Sequence, residues 1–219
     1  MIEVDLGPGV GAWFTTRRFD LASASGRAEL GARLGLPLVF TNQVHGAAVN
    51  WVDQVRPEPA TALTGDALAS GRRGIGLVVR TADCVPLLLA DPAQSLVAAV
   101  HVGWRGLLAG MVEAAAEALG QAGAGQLRAA IGPAICGRCY EVGEDLAAAA
   151  GAAGDVVLAG GDGRARLDVA ASVARRLRSL GAGPVQAVAE CAAESARLFS
   201  WRAERAQGRQ GGVIGLRIR

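Results

Sequence analysis

The chain has 219 residues, 51% of them hydrophobic and 19% charged, with a formal charge of +2. That length suits one domain, the apolar share excludes intrinsic disorder, and so small a charge excludes a dedicated nucleic-acid surface. All 22 cations are Arg and only two residues are His, which excludes lysine Schiff-base and P-loop chemistry and any site built from many imidazoles.

The opening MIEVDLGPGV has neither a basic nor an apolar leader region, and no apolar run reaches the roughly 18–20 residues of a membrane helix. With four Cys in a chain this long, the expectation is a soluble cytoplasmic protein with reduced thiols. In chain order, apolar periodicity predicts a helix over 26–34 and strands over 37–40 and 47–52. A surface loop follows over 53–65, carrying Pro57 and Pro59. Strands are predicted over 74–80, 85–90 and 95–102, a helix over 107–119 and a strand over 127–131. A helix over 144–153 precedes a loop over 159–163. The helix over 168–180 puts Val169, Val173, Leu177 and Leu180 on one face, with Asp168 as N-cap and Gly181 at its end. Strands over 185–189 and 212–218 complete the set. The Arg72-Arg73 pair and Arg175, Arg176 and Arg178 read as solvated faces. Helices mixed with strands at hairpin and crossover spacing give an α/β or α+β class with mixed sheets, in a single domain over 1–219.

Reactive side chains cluster at strand ends. His45 sits in the polar island Thr41-Asn42-Gln43-Val44-His45-Gly46, Cys84 in Thr81-Ala82-Asp83-Cys84 between two strands, and His101 at the end of the strand before Gly103-Trp104-Arg105-Gly106. Two imidazoles and a thiolate suit Zn²⁺ and leave a fourth tetrahedral position open. Asp83, Gln43 and Asn42 are candidates to orient ligands or handle protons. The bland reading keeps each His as a hydrogen-bonded core residue and Cys84 as a small apolar filler. Arg105 opens a helix and Arg17 follows Thr15-Thr16, so each is a candidate anion contact or a surface Arg. Cys136-Gly137-Arg138-Cys139 lacks the H-x-E of a nucleobase deaminase and the helix of a thioredoxin pair, so it reads as reduced structural thiols, and Cys191 as packing.

NQVHG, GDALAS, TADCVPLLLAD, VAAVHVGWRG, IGPAICGRCYEVGED and FSWRAERAQGRQGGVIGL occur in the order seen in the YfiH-like family. That family is also labelled laccase-domain, polyphenol oxidase or peptidoglycan editing factor, and the resemblance runs from about Trp13 to the C-terminus. It implies a four-layer α/β/β/α arrangement with mixed β-sheets and a zinc or copper site held by His45, Cys84 and His101. It also implies phosphorolysis of adenosine, inosine, guanosine and methylthioadenosine, and deamination of adenosine. Two features depart from the pattern: a segment usual after the Arg17 region is missing, and Trp201 stands where Tyr is usual.

The leading expectation is therefore a zinc-dependent purine nucleoside phosphorylase with adenosine deaminase activity. Its catalytic residues are His45, Cys84, His101 and Asp83, with Arg17, Gln43, Arg105 and Glu141 binding substrate. Arg105 and Arg17 would hold phosphate, and Asp83 or Glu141 would move the proton in deamination. Nucleoside and phosphate are the expected partners, with no nucleic acid, no membrane, and a monomer favoured. A multicopper oxidase needs more imidazoles than two. A single blue-copper site lacks an evident axial Met, since only Met1 and Met111 exist. Two other readings remain: a metal-free Cys84–His101 hydrolase of amide bonds in peptidoglycan precursor editing, and a non-enzymatic binding partner.

Overall fold

The computed structural model describes residues 1–53 and 63–218. Its elements run β1 (Ile2–Glu3), β2 (Val10–Phe14), α1 (Ala24–Leu34), β3 (Leu38–Val39), β4 (Val49–Trp51), β5 (Ala67–Ser70) and β6 (Gly76–Thr81). Then come β7 (Val85–Asp91), β8 (Leu96–Val102), α2 (Trp104–Leu108), α3 (Met111–Gln121), β9 (Arg128–Ile131) and α4 (Glu144–Ala152). The chain continues through β10 (Val156–Ala159), β11 (Ala165–Asp168), α5 (Val169–Ser179), β12 (Val185–Ala187), α6 (Trp201–Glu204) and β13 (Gln210–Leu216).

Two mixed sheets pack face to face. One has the order β1-β2-β13-β6-β3, the other β12-β9-β7-β8-β5-β4. Side-chain alternation along each strand shows why. On β7, Leu88 and Ala90 join Leu77, Val79, Phe14 and Ile214 of the first sheet in a core between the sheets. Leu87 and Leu89 point the other way, against Leu107, Met111, Ala115, Val173 and Leu177 of the helices. The first sheet turns Val78 and Val213 outward onto Leu30 of α1. The layers are thus helix, sheet, sheet, helix. β7 and β8 are buried along their whole length, which is why they read as unbroken apolar runs.

The eight predicted strands are all present. Five more went unpredicted, each short: β1, β2, β5 and the hairpin β10–β11, whose turn is the loop predicted over 159–163. β5 is Ala-Leu-Ala-Ser, a helix-favouring composition held extended by pairing with β4 and β8. The helix predicted over 107–119 is two helices, because Gly110 adopts a left-handed φ of 82° between α2 and α3. Asp168 caps α5 as expected, accepting from the Ala171 amide. Arg176 corrects the solvated reading of its cluster: it bonds Asp155 through Nε and Nη2 at 2.9 Å each and reaches Glu113 at 3.1 Å. The loop predicted over 53–65 lies largely outside the described residues, Pro57 and Pro59 included. Among the described residues no helix is long and apolar enough to cross a membrane.

Candidate metal and anion site

Strand pairing assembles the site. Cys84 sits where the chain passes from β6 in one sheet to β7 in the other, and Val85 pairs with Val102 across the β7–β8 ladder. Cys84 therefore lies beside His101 near the end of β8. The β5–β8 ladder sets Ala67 opposite Val100, which carries Asp66 to the other side of His101. Asp66 is fully buried, and its Oδ1 lies 2.7 Å from His101 Nδ1. The same carboxylate accepts the amides of Val44, His45 and Gly46 at 3.1, 3.0 and 2.8 Å. These three bonds hold the loop between β3 and β4 in a shape that puts His45 at a left-handed φ of 62°. Such a conformation costs a non-glycine residue about 1 kcal/mol or more and persists where the surroundings enforce it. One side chain thus positions both imidazoles.

The donor atoms of His45, Cys84 and His101 lie within 4.8 Å of one another, and the imidazole rings meet edge to face at 4.9 Å. With Nδ1 of His101 committed to Asp66, Nε2 is the nitrogen left for a metal. Gly103 adds a steric observation: a Cβ there would come within 3.0 Å of His45 Cδ2 and 3.1 Å of Cys84 Sγ. Two imidazoles, a thiolate and a buried carboxylate behind one of them are the donor chemistry of a zinc site with an open position. Met111 is buried in the helix-side core and does not line the adjoining cavity, so no axial Met for a blue-copper centre is at hand. Burial pushes the Cys84 thiol up, but the charge of His101 and hydrogen bonds from both imidazoles bring it down to about 6. Burial lowers His101, and Cys84 with Asp66 outweighs that and raises it to about 9. Each group thus favours the charged form of the other, thiolate beside imidazolium.

This cluster opens on a cavity of about 730 Å³. Four arginines line it, Arg80, Arg105, Arg202 and Arg209, with the aromatic residues Trp104, Tyr140 and Trp201. The Arg105 guanidinium stacks 4.3 Å from the Trp104 ring and that of Arg202 lies 5.0 Å from the Tyr140 ring. Asp83 is the one lining carboxylate among the described residues. It accepts from the Ser200 hydroxyl at 2.6 Å and the Arg202 amide at 2.7 Å.

The other expected contacts divide. Arg105 lines the cavity. Gln43 does too, but its amide is spent on β6, donating to the Arg80 carbonyl and accepting from the Arg80 amide at 2.8 Å each. It anchors the His45 loop. Arg17 does not line the cavity; it pairs with Glu204, donates to the Leu198 carbonyl at 2.7 Å and packs over Phe199. Glu141 also stays outside, turned toward Arg164 at 3.0 Å. Sequence reasoning missed Asp66, although GDALAS contained it, along with Arg80, Tyr140, Arg202 and Arg209. The FSWRAERAQGRQ stretch carried the signal for the last two.

A profile of the family described as multi-copper polyphenol oxidoreductase laccase matches residues 21–217. A purine nucleoside phosphorylase of Streptomyces coelicolor is 42% identical over 98% of this chain and 88% of its own. Another, from Deinococcus radiodurans, is 38% identical over 97% and 85%. Among solved structures, a Neisseria meningitidis protein superposes with a TM-score of 0.84 at 27% identity, covering 99% of both chains. The Bacillus licheniformis hypothetical protein YfiH gives 0.84 at 26%, over 95% and 93%.

Proposed function

The chain belongs to the multi-copper polyphenol oxidoreductase laccase family, and on that footing we propose that it is a zinc-dependent purine nucleoside phosphorylase. One observation carries the reading: one cavity adjoins a His–Cys–His donor set and is lined by four arginines against one acidic residue, Asp83, that is already hydrogen-bonded. Its volume is in the range of small-molecule sites, and its charge suits a phosphate. Arg80, Arg202 and Arg209 each donate to backbone carbonyls. Arg105 stacks on Trp104 and, among the described residues, has no hydrogen-bond partner, which leaves its donors for a ligand.

In phosphorolysis a phosphate oxygen bonds to the ribose C1′ as the bond from C1′ to the base nitrogen breaks. The electron pair leaves with the base, which gains a proton. The arginines bind and orient the phosphate, and preorganised positive charge of this kind is most effective where water is excluded. Trp104, Tyr140 and Trp201 offer faces on which a purine stacks. Zinc held by His45, Cys84 and His101 would supply Lewis-acid charge at that wall. For adenosine deamination, Asp83 is the carboxylate inside the cavity, and its two bonds fix where it accepts a proton; Glu141 is not placed for that role.

Protein incubated with inosine, phosphate and zinc is expected to yield ribose 1-phosphate and free base, and no product above a Cys84→Ala control overturns the reading. Adenosine without phosphate tests the deaminase part through inosine formation. A second reading has a specific basis as well, because Asp66, His101 and Cys84 also have the connectivity of a nucleophile–base–orienter triad. Activity on amide substrates that survives chelation would favour it. His45 on the third side favours the metal.

A further inference from the structure

Away from the cavity ligands, a second donor cluster brings together Cys136, Cys139, Cys191 and Glu194, whose ligand atoms all lie within 4.8 Å of one another. We infer that these four residues form a second, structural zinc site that staples together two loops bordering the cavity.

The geometry rests on two matched turns. Cys136 to Cys139 is closed by the Cys139 amide donating to the Cys136 carbonyl at 3.0 Å. Cys191 to Glu194 is closed in the same way at 3.2 Å. Each turn presents two donors at i and i+3, the knuckle spacing of structural zinc sites, and the two turns face each other. A bridge between Ala134 and Cys191, with the Ala192 amide donating to the Ala134 carbonyl at 2.9 Å, sets them in register. The Cys136 amide also donates to Cys191 Sγ at 3.3 Å, and Cys139 Sγ donates to Glu194 at 3.4 Å. All four cysteines of the chain are unpaired. A disulfide would use two of these three sulfurs and strand the third, whereas a tetrahedral ion uses all four donors.

The sulfurs of a tetrahedral zinc thiolate site stand about 3.8 Å apart, given zinc–sulfur bonds of about 2.3 Å, so closing this cluster needs only a small contraction. On binding, each thiol gives its proton to solvent and each donor gives a pair to zinc. Three thiolates and a carboxylate around Zn²⁺ leave two negative charges. Arg138, 3.0 Å from Glu194, offsets one, and the half-exposed position leaves the other to water. What the ion would fasten is plain from the neighbours. Tyr140, next to Cys139, lines the cavity, and Ser200 and Arg202, which lie beyond Glu194 in the chain, hold Asp83. The Cys191 reading as simple packing gives way to one as a ligand.

The test counts zinc in protein that lacks the cavity ligands, so its outcome is separate from that of the phosphorylase reading. A His45→Ala/Cys84→Ser variant, loaded with zinc and dialysed, is expected to retain one ion per chain, and adding Cys136→Ser and Cys191→Ser is expected to remove it. Cobalt in the same double variant should show thiolate charge-transfer absorption of three-sulfur strength. X-ray absorption of zinc-loaded wild-type protein covers failure of the variants to fold, with an expected average of about two sulfurs per ion over both sites. Loss of all zinc from the folded double variant, equal zinc with and without Cys136 and Cys191, or an intact mass lower by two hydrogens with no metal each overturns the inference.

Discussion

Asp66→Asn is the sharpest perturbation of the cavity site, because one carboxylate serves both imidazoles. Oδ2 accepts from Val44 and Gly46, and Oδ1 from His45 and His101. An amide keeps only one oxygen. If its NH₂ replaces Oδ2, the part-buried amides of Val44 and Gly46 face a donor, at up to about 1–3 kcal/mol each, and the His45 loop loosens. If it replaces Oδ1, His101 must turn to the tautomer whose proton sits on Nε2, the nitrogen left for the metal. Either outcome damages the site. Loss of such an orienting partner costs about 10–100-fold in metal affinity, about 1.4–2.7 kcal/mol. Zinc affinity is measured by competition with a chromophoric chelator, and folding by thermal melting of the same samples. A variant within about threefold of wild type in affinity, with an unchanged melt, refutes the assignment of Asp66 as the shared anchor.

Four other substitutions probe separate parts of the molecule. Gly103→Ala puts a Cβ about 3 Å from His45 and Cys84, so metal content should fall while the fold persists, since the φ of −89° there suits Ala; elemental analysis beside circular dichroism checks it. Arg105→Ala should raise KM for phosphate about tenfold or more, the loss of one charged hydrogen-bond partner, and leave metal content unchanged. Arg176→Met strands the buried Asp155 carboxylate at a cost of about 3 kcal/mol, which calorimetry should register as a fall in Tm of about 6–12 °C. Asp91 is buried, which raises its carboxyl, but amides of Gly125, Gln126 and Gln94 outweigh burial and hold it below the usual range. Its stabilising contribution is therefore complete above about pH 4 and lost as the pH falls through its lower folded value, so Asp91→Asn should flatten acid unfolding below about pH 4 in a urea-midpoint series.

The convergence of three reactive residues near the ends of apolar strands was legible. His45, Cys84 and His101 each interrupt or end a strongly apolar run, and a reactive group at a strand end sits at the rim of a sheet, where sites form. Asp66 was not legible. Gly65-Asp66 looks like turn chemistry, and the strand behind it is Ala-rich, so only the β5–β8 ladder reveals that its carboxylate lies under His101. The pairing of Arg17 was hidden for the opposite reason: its surroundings invite an anion, and its partner Glu204 stands 187 positions away. Cys191 likewise lies far along the chain from Cys136 and Cys139, and only a bridge between non-neighbouring segments brings them together. Apolar periodicity reports which face of a strand is buried. It is silent about which polar groups share a rim.

The position of β13 has a consequence for how the molecule is made. This last strand lies in the middle of its sheet, bonded to β2 on one side and β6 on the other. On the ribosome, β2 and β6 wait with open edges until residues 210–216 emerge, and pairing across so long a stretch of chain is slow. The residues at 201–209 that line the cavity arrive just before it. All three candidate ligands at the cavity, by contrast, lie between positions 45 and 101. A growing chain thus carries all three donors of the cavity cluster well before it has the wall that closes the cavity, so on the proposed reading synthesis would put metal capture ahead of substrate binding.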